Sequence, residues 1–235
     1  MKQRFYIFAL LLSASIVFSS YSRYNENHNT PDPSVTDEGV LIGNINGTPI
    51  RWATRNLDYP GTFAPYPHSA GRFYQWGTLN GVVHHWAATG TVTGWSNSSN
   101  RAAWTTVNDP CPPGWRVPTV YEFRNLHDAG GEWTTENGVN GRRFGSGNNT
   151  IFLPAAGHRG PFGSLSGVGR VGFYWSSTAH SWYSVNTGWH RDTAWWLAIC
   201  NIRCRRCRRW HRSGNGSLVS AGWRYSGRSV RCVAE

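Results

Sequence analysis

At 235 residues the chain is long enough for one well-cored domain plus an extension, since single domains commonly run to roughly 100–200 residues. Fourteen Trp and 27 Gly against one Met and one Lys exclude a helix-rich protein and favour short strands joined by long, structured loops, with aromatic bodies supplying core mass at roughly 150–250 Å² each. The net charge of +11 is unevenly spread, because residues 200–235 hold nine of the 22 Arg and one acidic residue, Glu235; such a patch attracts polyanions over about one Debye length, ~8 Å at physiological salt, and so states a field and not a ligand.

Taken from the N-terminus, Lys2 and Arg4 precede an apolar run from Phe5 to Phe18 that ends in Ser19, Ser20 and Ser22, the layout of a secretory signal peptide over residues 1–22. The run is shorter than the ~20 residues of a membrane-spanning helix, so no spanning segment is expected once the signal is removed. Residues 23–38 are polar, contain Pro31 and Pro33 and lack periodicity, which predicts a flexible linker. The domain is expected over 39–235. Asn46-Gly47 between Val40-Leu41-Ile42 and Ile50-Arg51-Trp52 reads as a β-hairpin, because Asn-Gly takes positive φ at both central turn positions. One helix is plainly written: Thr119 followed by Glu122 is a capping box, Val120, Phe123 and Leu126 form the apolar stripe, and Gly130-Gly131 ends it. A weaker helix is expected around 100–104. Short strands are expected at 151–153, 172–176, 194–199 and 229–233. The fold class this predicts is α+β, with an antiparallel sheet, one or two segregated helices and long structured loops.

Six strings carry a resemblance: WATRNL (52–57), FYQWG (73–77), DPCPPGWRVPTVYEF (109–123), IFLPAAGHRG (151–160), FYWSST (173–178) and GRSVRCV (227–233). In this order, over residues 41–235, they resemble the Fibrobacter succinogenes major paralogous domain, a family of exported bacterial proteins. The resemblance implies a C-type lectin-like fold, related to that of the formylglycine-generating enzyme, whose terminal strands meet. The last sixty residues also resemble the diversified tail of diversity-generating retroelement variable proteins, because regular-looking frames flank a segment with no periodicity of its own at 200–212. The other reading of this tail is an Arg-rich loop of an ordinary family member.

Five Cys in an exported chain imply disulfides with one Cys left over. Cys111 and Cys232 sit in two of the family-like frames, so the resemblance implies that they pair. Cys200, Cys204 and Cys207 form CxxxCxxC, a spacing shared with iron–sulfur cradles but here set among Arg203, Arg205, Arg206, Arg208 and Arg209 and expected in an exported chain. A zinc site with His211, an extra disulfide within the trio and reactive thiols all stay open; no metal or cofactor is assigned. Calcium-dependent sugar binding lacks its paired tripeptides, since only Val107-Asn108-Asp109 is present.

His84, His85, Glu122, Asp128, Glu132 and Asp192 show no spacing that defines a nucleophile and its base, so the chain is read as a non-enzyme, with a formylglycine-generating-type oxidase the remote alternative. Trp76, Trp115 and Trp175 lie in the frames and are expected in the core, with indole N–H groups on loop carbonyls. Trp182, Tyr183, Trp189, Trp195, Trp196, Trp210 and Trp223 lie in the tail, where partial exposure is expected, with at least one of Trp195 and Trp196 facing inward on a strand. The candidate ligand face is Trp182, Tyr183, His190, Trp196, Arg203, Arg205, Arg206, Arg208, Arg209, Trp210 and His211, residue types that dominate interface hot spots. The function expected is adhesion or ligand binding by a secreted or cell-surface protein of the bacterial envelope, toward a macromolecular or glycan ligand at the cell exterior. The alternatives are a polyanion binder, toward glycan or nucleic acid, and a structural subunit of a surface appendage.

Overall fold

The computed structural model describes residues 34–79, 83–84, 92, 95–96, 103–201 and 217–235. By its contacts the chain divides into Met1–Asp32 and Pro33–Glu235; the expected signal peptide, the linker up to residue 33 and residues 100–102 of the weaker helix lie outside the described residues. The end of the linker is tied down. Asp37 accepts hydrogen bonds from the backbone N–H of Gly39 (2.9 Å), Thr54 (2.7 Å) and Arg55 (3.0 Å).

In chain order the elements are β1 (Val40–Ile45), β2 (Thr48–Trp52), β3 (Arg72–Gln75), β4 (Val83–His84), β5 (Trp115–Arg116), α1 (Val120–Asp128), β6 (Gly131–Glu136), β7 (Val139–Ser146), β8 (Asn149–Pro154), β9 (His158–Arg159), β10 (Leu165–Ser166), β11 (Val171–Ser184), β12 (Gly188–Cys200), β13 (Ser217–Trp223), β14 (Gly227–Arg228) and β15 (Val233–Ala234). They build four small antiparallel sheets, ordered β1-β2-β15-β5, β10-β9-β14-β3-β4, β11-β12-β13 and β6-β7-β8. The expected α+β class is therefore corrected. Among the described residues strand accounts for 49% and helix for 5%, with one helix, so they are β-rich. Part of the difference comes from the β6-β7-β8 meander, whose first turn holds Asn137 at φ 46° and Gly138 at φ 80°, the conformation that an Asn-Gly pair adopts in a tight hairpin. Ala103 and Trp104 are not helical, and of the strand expected over 229–233 only its last residue is in one.

The Asn46-Gly47 hairpin forms as read, with φ of 51° and 85°. So does α1. The Thr119 side chain accepts from the Glu122 N–H while Glu122 accepts from the Thr119 N–H, and Gly130 follows at φ 72°. Burial works to raise the Glu122 pKa, but hydrogen bonds from Arg116 and Thr119 outweigh it and hold the carboxyl below its ordinary value.

Successive residues of a strand point to opposite faces, and the central β11-β12-β13 sheet uses both. Phe173, Trp175, Ala194, Trp196 and Ala198 enter one apolar cluster with Trp76, Trp104 and Val230. Tyr174, Leu197 and Ile199 enter the other, with Trp52, Phe123, Leu126 and Phe144. Four of the buried indoles find backbone acceptors: Trp52 Nε1 donates to Ile42 O (3.2 Å), Trp76 to Ser176 O (2.7 Å), Trp104 to Thr78 O (3.1 Å) and Trp175 to Tyr74 O (2.8 Å). Trp115 is only partly buried, edge-on to Phe63 at 5.5 Å.

The chain ends are locked. Cys111 and Cys232 form a disulfide with Cα atoms 6.2 Å apart across a sequence separation of 121. Beside it the buried Arg231 donates to Asn56 Oδ1 (2.6 and 2.9 Å), Ala53 O (3.0 Å) and Phe152 O (2.9 Å), so one guanidinium joins the start, middle and end of the domain.

Candidate functional site

The two longest strands, β11 and β12, form a hairpin that outgrows the core. Its inner half is buried on both faces, whereas from Ser177 onward β11 runs partly or fully exposed. Cross-strand partners on the outer half are His180 with Thr193, Trp182 with His190 and Tyr183 with Trp189, while Thr193 also pairs with Trp223 of β13. Directly paired residues share a face, and His180 and Trp182, two apart on one strand, do as well. The pairing therefore places His180, Trp182, His190, Thr193 and Trp223 on one side of the sheet.

Those side chains make a continuous row. The Trp182 and His190 rings stack at 4.1 Å and 12°, His190 meets Trp223 edge-to-face at 6.2 Å and 73°, and Trp223 stacks on Tyr225 at 5.5 Å and 9°. Toward the helix, the His180 Nδ1 and Thr193 Oγ1 atoms share a hydrogen bond of 2.9 Å, the His180 ring stands edge-on to Trp195 at 4.9 Å, and the Arg124 guanidinium lies 5.1 Å from the Trp195 ring and 5.6 Å from that of Tyr121. Trp182 and Trp223 are 40% and 39% exposed, and Tyr121 is 64% exposed. Burial lowers the His180 pKa, which keeps that ring neutral at pH 7. Arg191 and Asp192, both exposed, put one charge of each sign beside the row.

The sequence-based candidates are sorted by this geometry. Trp182 and His190 lie in the row. Tyr183, 58% exposed, alternates to the opposite face of the hairpin. Trp196 is removed from the ligand face: it is 7% exposed, edge-on to Phe173 at 5.1 Å and capped by the Arg228 guanidinium at 4.6 Å, because its place on β12 turns it into the first cluster while Trp195 takes the outward position. Arg203, Arg205, Arg206, Arg208, Arg209, Trp210 and His211 lie outside the described residues, but their two attachment points do not. The run leaves β12 after Cys200 and returns at Ser217, next to Ile199. Thr193, at the aromatic row, is six residues and so about 20 Å further along β12. The aromatic row and the attachment points of the Arg-rich run thus lie at opposite ends of one strand pair.

Five ring-bearing residues of the row stood outside the candidate face: Tyr121, His180, Trp195, Trp223 and Tyr225. Arg124, which links Tyr121 to Trp195, carried no signal, since it meets Trp195 from another element some seventy residues away. Among the carboxylates weighed for chemistry, Glu122 is engaged by Arg116 at 2.6 Å and Glu132 by Arg143 at 3.3 Å, while Asp128 and Asp192 are exposed; His85 lies outside the described residues. Cys200 is buried at the end of β12, and Cys204 and Cys207 lie outside the described residues. Among the described residues no three His, Cys, Asp or Glu side chains gather closely enough to hold a metal ion, and no helix is long and apolar enough to cross a membrane.

No family model, curated protein or solved structure matches the chain.

Proposed function

We propose that this chain is an exported or surface-displayed binding protein whose ligand face is the aromatic row on the outer half of the β11–β12 hairpin. One observation carries the reading: indole and imidazole rings on three adjacent strands, with the Tyr225 phenol just past β13, stand partly exposed and mutually braced, outside the core clusters. Rings fixed in this way lose little side-chain freedom on binding, and exposed Trp and Tyr are the residue types that supply most interface energy. Membership of the Fibrobacter succinogenes major paralogous family, to which the strings at 52–57, 73–77, 109–123, 151–160, 173–178 and 227–233 are similar, agrees with export and with a binding role. The Arg-rich run at 203–209 adds the positive charge that steers anionic surfaces toward the protein.

The test is a binding panel of immobilised neutral polysaccharide, heparin, single-stranded DNA and proline-rich peptide, probed with the purified chain. A Trp182→Ala/Trp223→Ala double variant is expected to lose at least about tenfold in affinity for whatever the parent binds, roughly the 1.4 kcal/mol of one modest hot spot, with its melting temperature little changed. Equal binding by parent and double variant defeats the reading. If instead replacement of Arg203, Arg205, Arg206, Arg208 and Arg209 by Ser abolishes binding and the affinity falls steeply with salt, the polyanion alternative replaces it.

A further inference from the structure

Beyond the row itself, the described surface carries a groove of about 1110 Å³ between the β1–β2 hairpin and the first turn of α1, lined among others by Asn44, Asn46, Thr48, Arg51, Tyr121 and Glu235. Groove and row are continuous. Tyr121 lines the groove, and the Arg124 guanidinium bridges its ring to Trp195, which touches His180 two residues from Trp182.

Two features narrow what could lie along this path. The first is ring spacing. A nucleobase or planar cation held between two parallel rings needs them at about 7 Å, twice the ~3.5 Å contact distance of carbon atoms, and the parallel pairs here stand at 4.1 and 5.5 Å. These rings are already in contact and offer only their outer faces, a platform and not a cage. The second is charge. Arg116 in the groove is held bidentately by Glu122, at 2.9 and 2.6 Å; Arg51 donates to Glu38 O at 3.1 Å and shares the groove with Glu235; Arg191 and Asp192 flank the row. Along the path the described cations Arg51, Arg116, Arg124 and Arg191 stand against the carboxylates Glu122, Glu235 and Asp192, so the described charge comes within one cation of cancelling. Among these described residues an anionic polymer finds no concentrated positive charge.

A flat apolar platform followed by a groove rimmed with amide, hydroxyl and paired charged groups matches a ligand that is apolar on its faces and hydrogen-bonding at its edges, repeated along a line. We infer that the groove and the aromatic row form one extended site for a neutral linear carbohydrate, whose pyranose C–H faces lie on Trp182 and Trp223 and whose following units pass Tyr121 into the groove. This rests on the aromatic row being the ligand face and adds to it the chemical class and the second subsite.

The experiment is calorimetric titration of the purified chain, with intrinsic tryptophan fluorescence as a second readout. The probes are neutral di- and hexasaccharides of glucose, mannose, xylose and N-acetylglucosamine, with a twelve-residue oligothymidylate and a proline-rich peptide beside them. At least one sugar series is expected to bind, with the hexasaccharide at least about tenfold tighter than its disaccharide and affinity changing less than about twofold between low and high salt, since no counterions are released. Trp182→Ala and Trp223→Ala should each weaken both lengths. Tyr121→Ala, at an exposed helix position, should leave disaccharide binding intact and remove most of the hexasaccharide gain. A hexasaccharide no tighter than its disaccharide, or a gain that survives Tyr121→Ala, overturns the extended site. Silence from all four sugar series, with the peptide or the oligothymidylate bound in a Trp182-dependent way, overturns the carbohydrate class and leaves the ligand face standing. Binding indifferent to both Trp substitutions, or no binding by any probe, brings down both.

Discussion

In the inner half of the β11–β12 hairpin Phe173, Tyr174 and Trp175 are buried, the Tyr174 hydroxyl donating to Pro154 O at 2.6 Å and the Trp175 indole to Tyr74 O at 2.8 Å. A few residues further along the same strand Trp182 and Tyr183 stand 40% and 58% exposed, and the Trp182 indole rests on the imidazole opposite. Both halves use the same residue types in the same ladder. What separates them is a packed layer on each side, joined at Tyr174 and Trp175 by a carbonyl that takes the polar hydrogen: where the layers cover it an aromatic ring is core, and where they do not it becomes surface available to another molecule.

That contrast can be broken in three ways. The largest effect is expected from cutting the disulfide that ties the C-terminal segment to the stretch before β5, in the same apolar cluster as Phe173 and Trp175. A Cys111→Ser/Cys232→Ser variant should lose about 4–5 kcal/mol in denaturant unfolding, the loop-closure value for a sequence separation of 121, and a loss under about 1 kcal/mol would mean that packing alone fixes the inner half. Next, Trp175→Ala should cost about 3–5 kcal/mol, whereas Trp182→Ala should stay within about 0.5 kcal/mol; similar costs at the two positions would erase the distinction between the halves.

The smallest effect is acid sensitivity beneath the inner half, at His158, whose ring stands edge-on to Phe173 at 4.8 Å. Burial, and then the neighbouring Arg228 cation, lower its pKa from 6.5 to about 4. Because the folded value is depressed, the unfolded chain binds more protons between these two values. The contribution of His158 is therefore fully present above pH 6.5 and is lost as pH falls through 4, up to a limit on the order of 3 kcal/mol. His158→Phe should flatten stability between pH 6.5 and 4; an unchanged slope would place the acid sensitivity elsewhere.

Much of the local structure was legible. Asn46-Gly47 and the Thr119–Glu122 box act through their own backbone neighbours, so residues three apart sufficed to place a hairpin and a helix. Asn137-Gly138 carries the same signal as Asn46-Gly47, yet the polar, Gly-rich stretch around it resembles loop until β7 is seen pairing on both sides. The α+β expectation failed there. At Trp195-Trp196 strand alternation requires one ring in and one out, and nothing local says which.

The sequence by itself determined where the chain turns, where its one described helix begins and, through its family-like frames, that Cys111 and Cys232 belong together, because each of these depends on short-range geometry or on recognisable strings. Only the tertiary structure decided which aromatic rings face solvent, that Tyr121, Arg124 and Trp195 meet, and that the aromatic row and the attachment points of the Arg-rich run lie about 20 Å apart along β12. Those facts depend on which layers cover each face and on which end of a strand a loop leaves, and both are fixed by pairings between residues far apart in the chain.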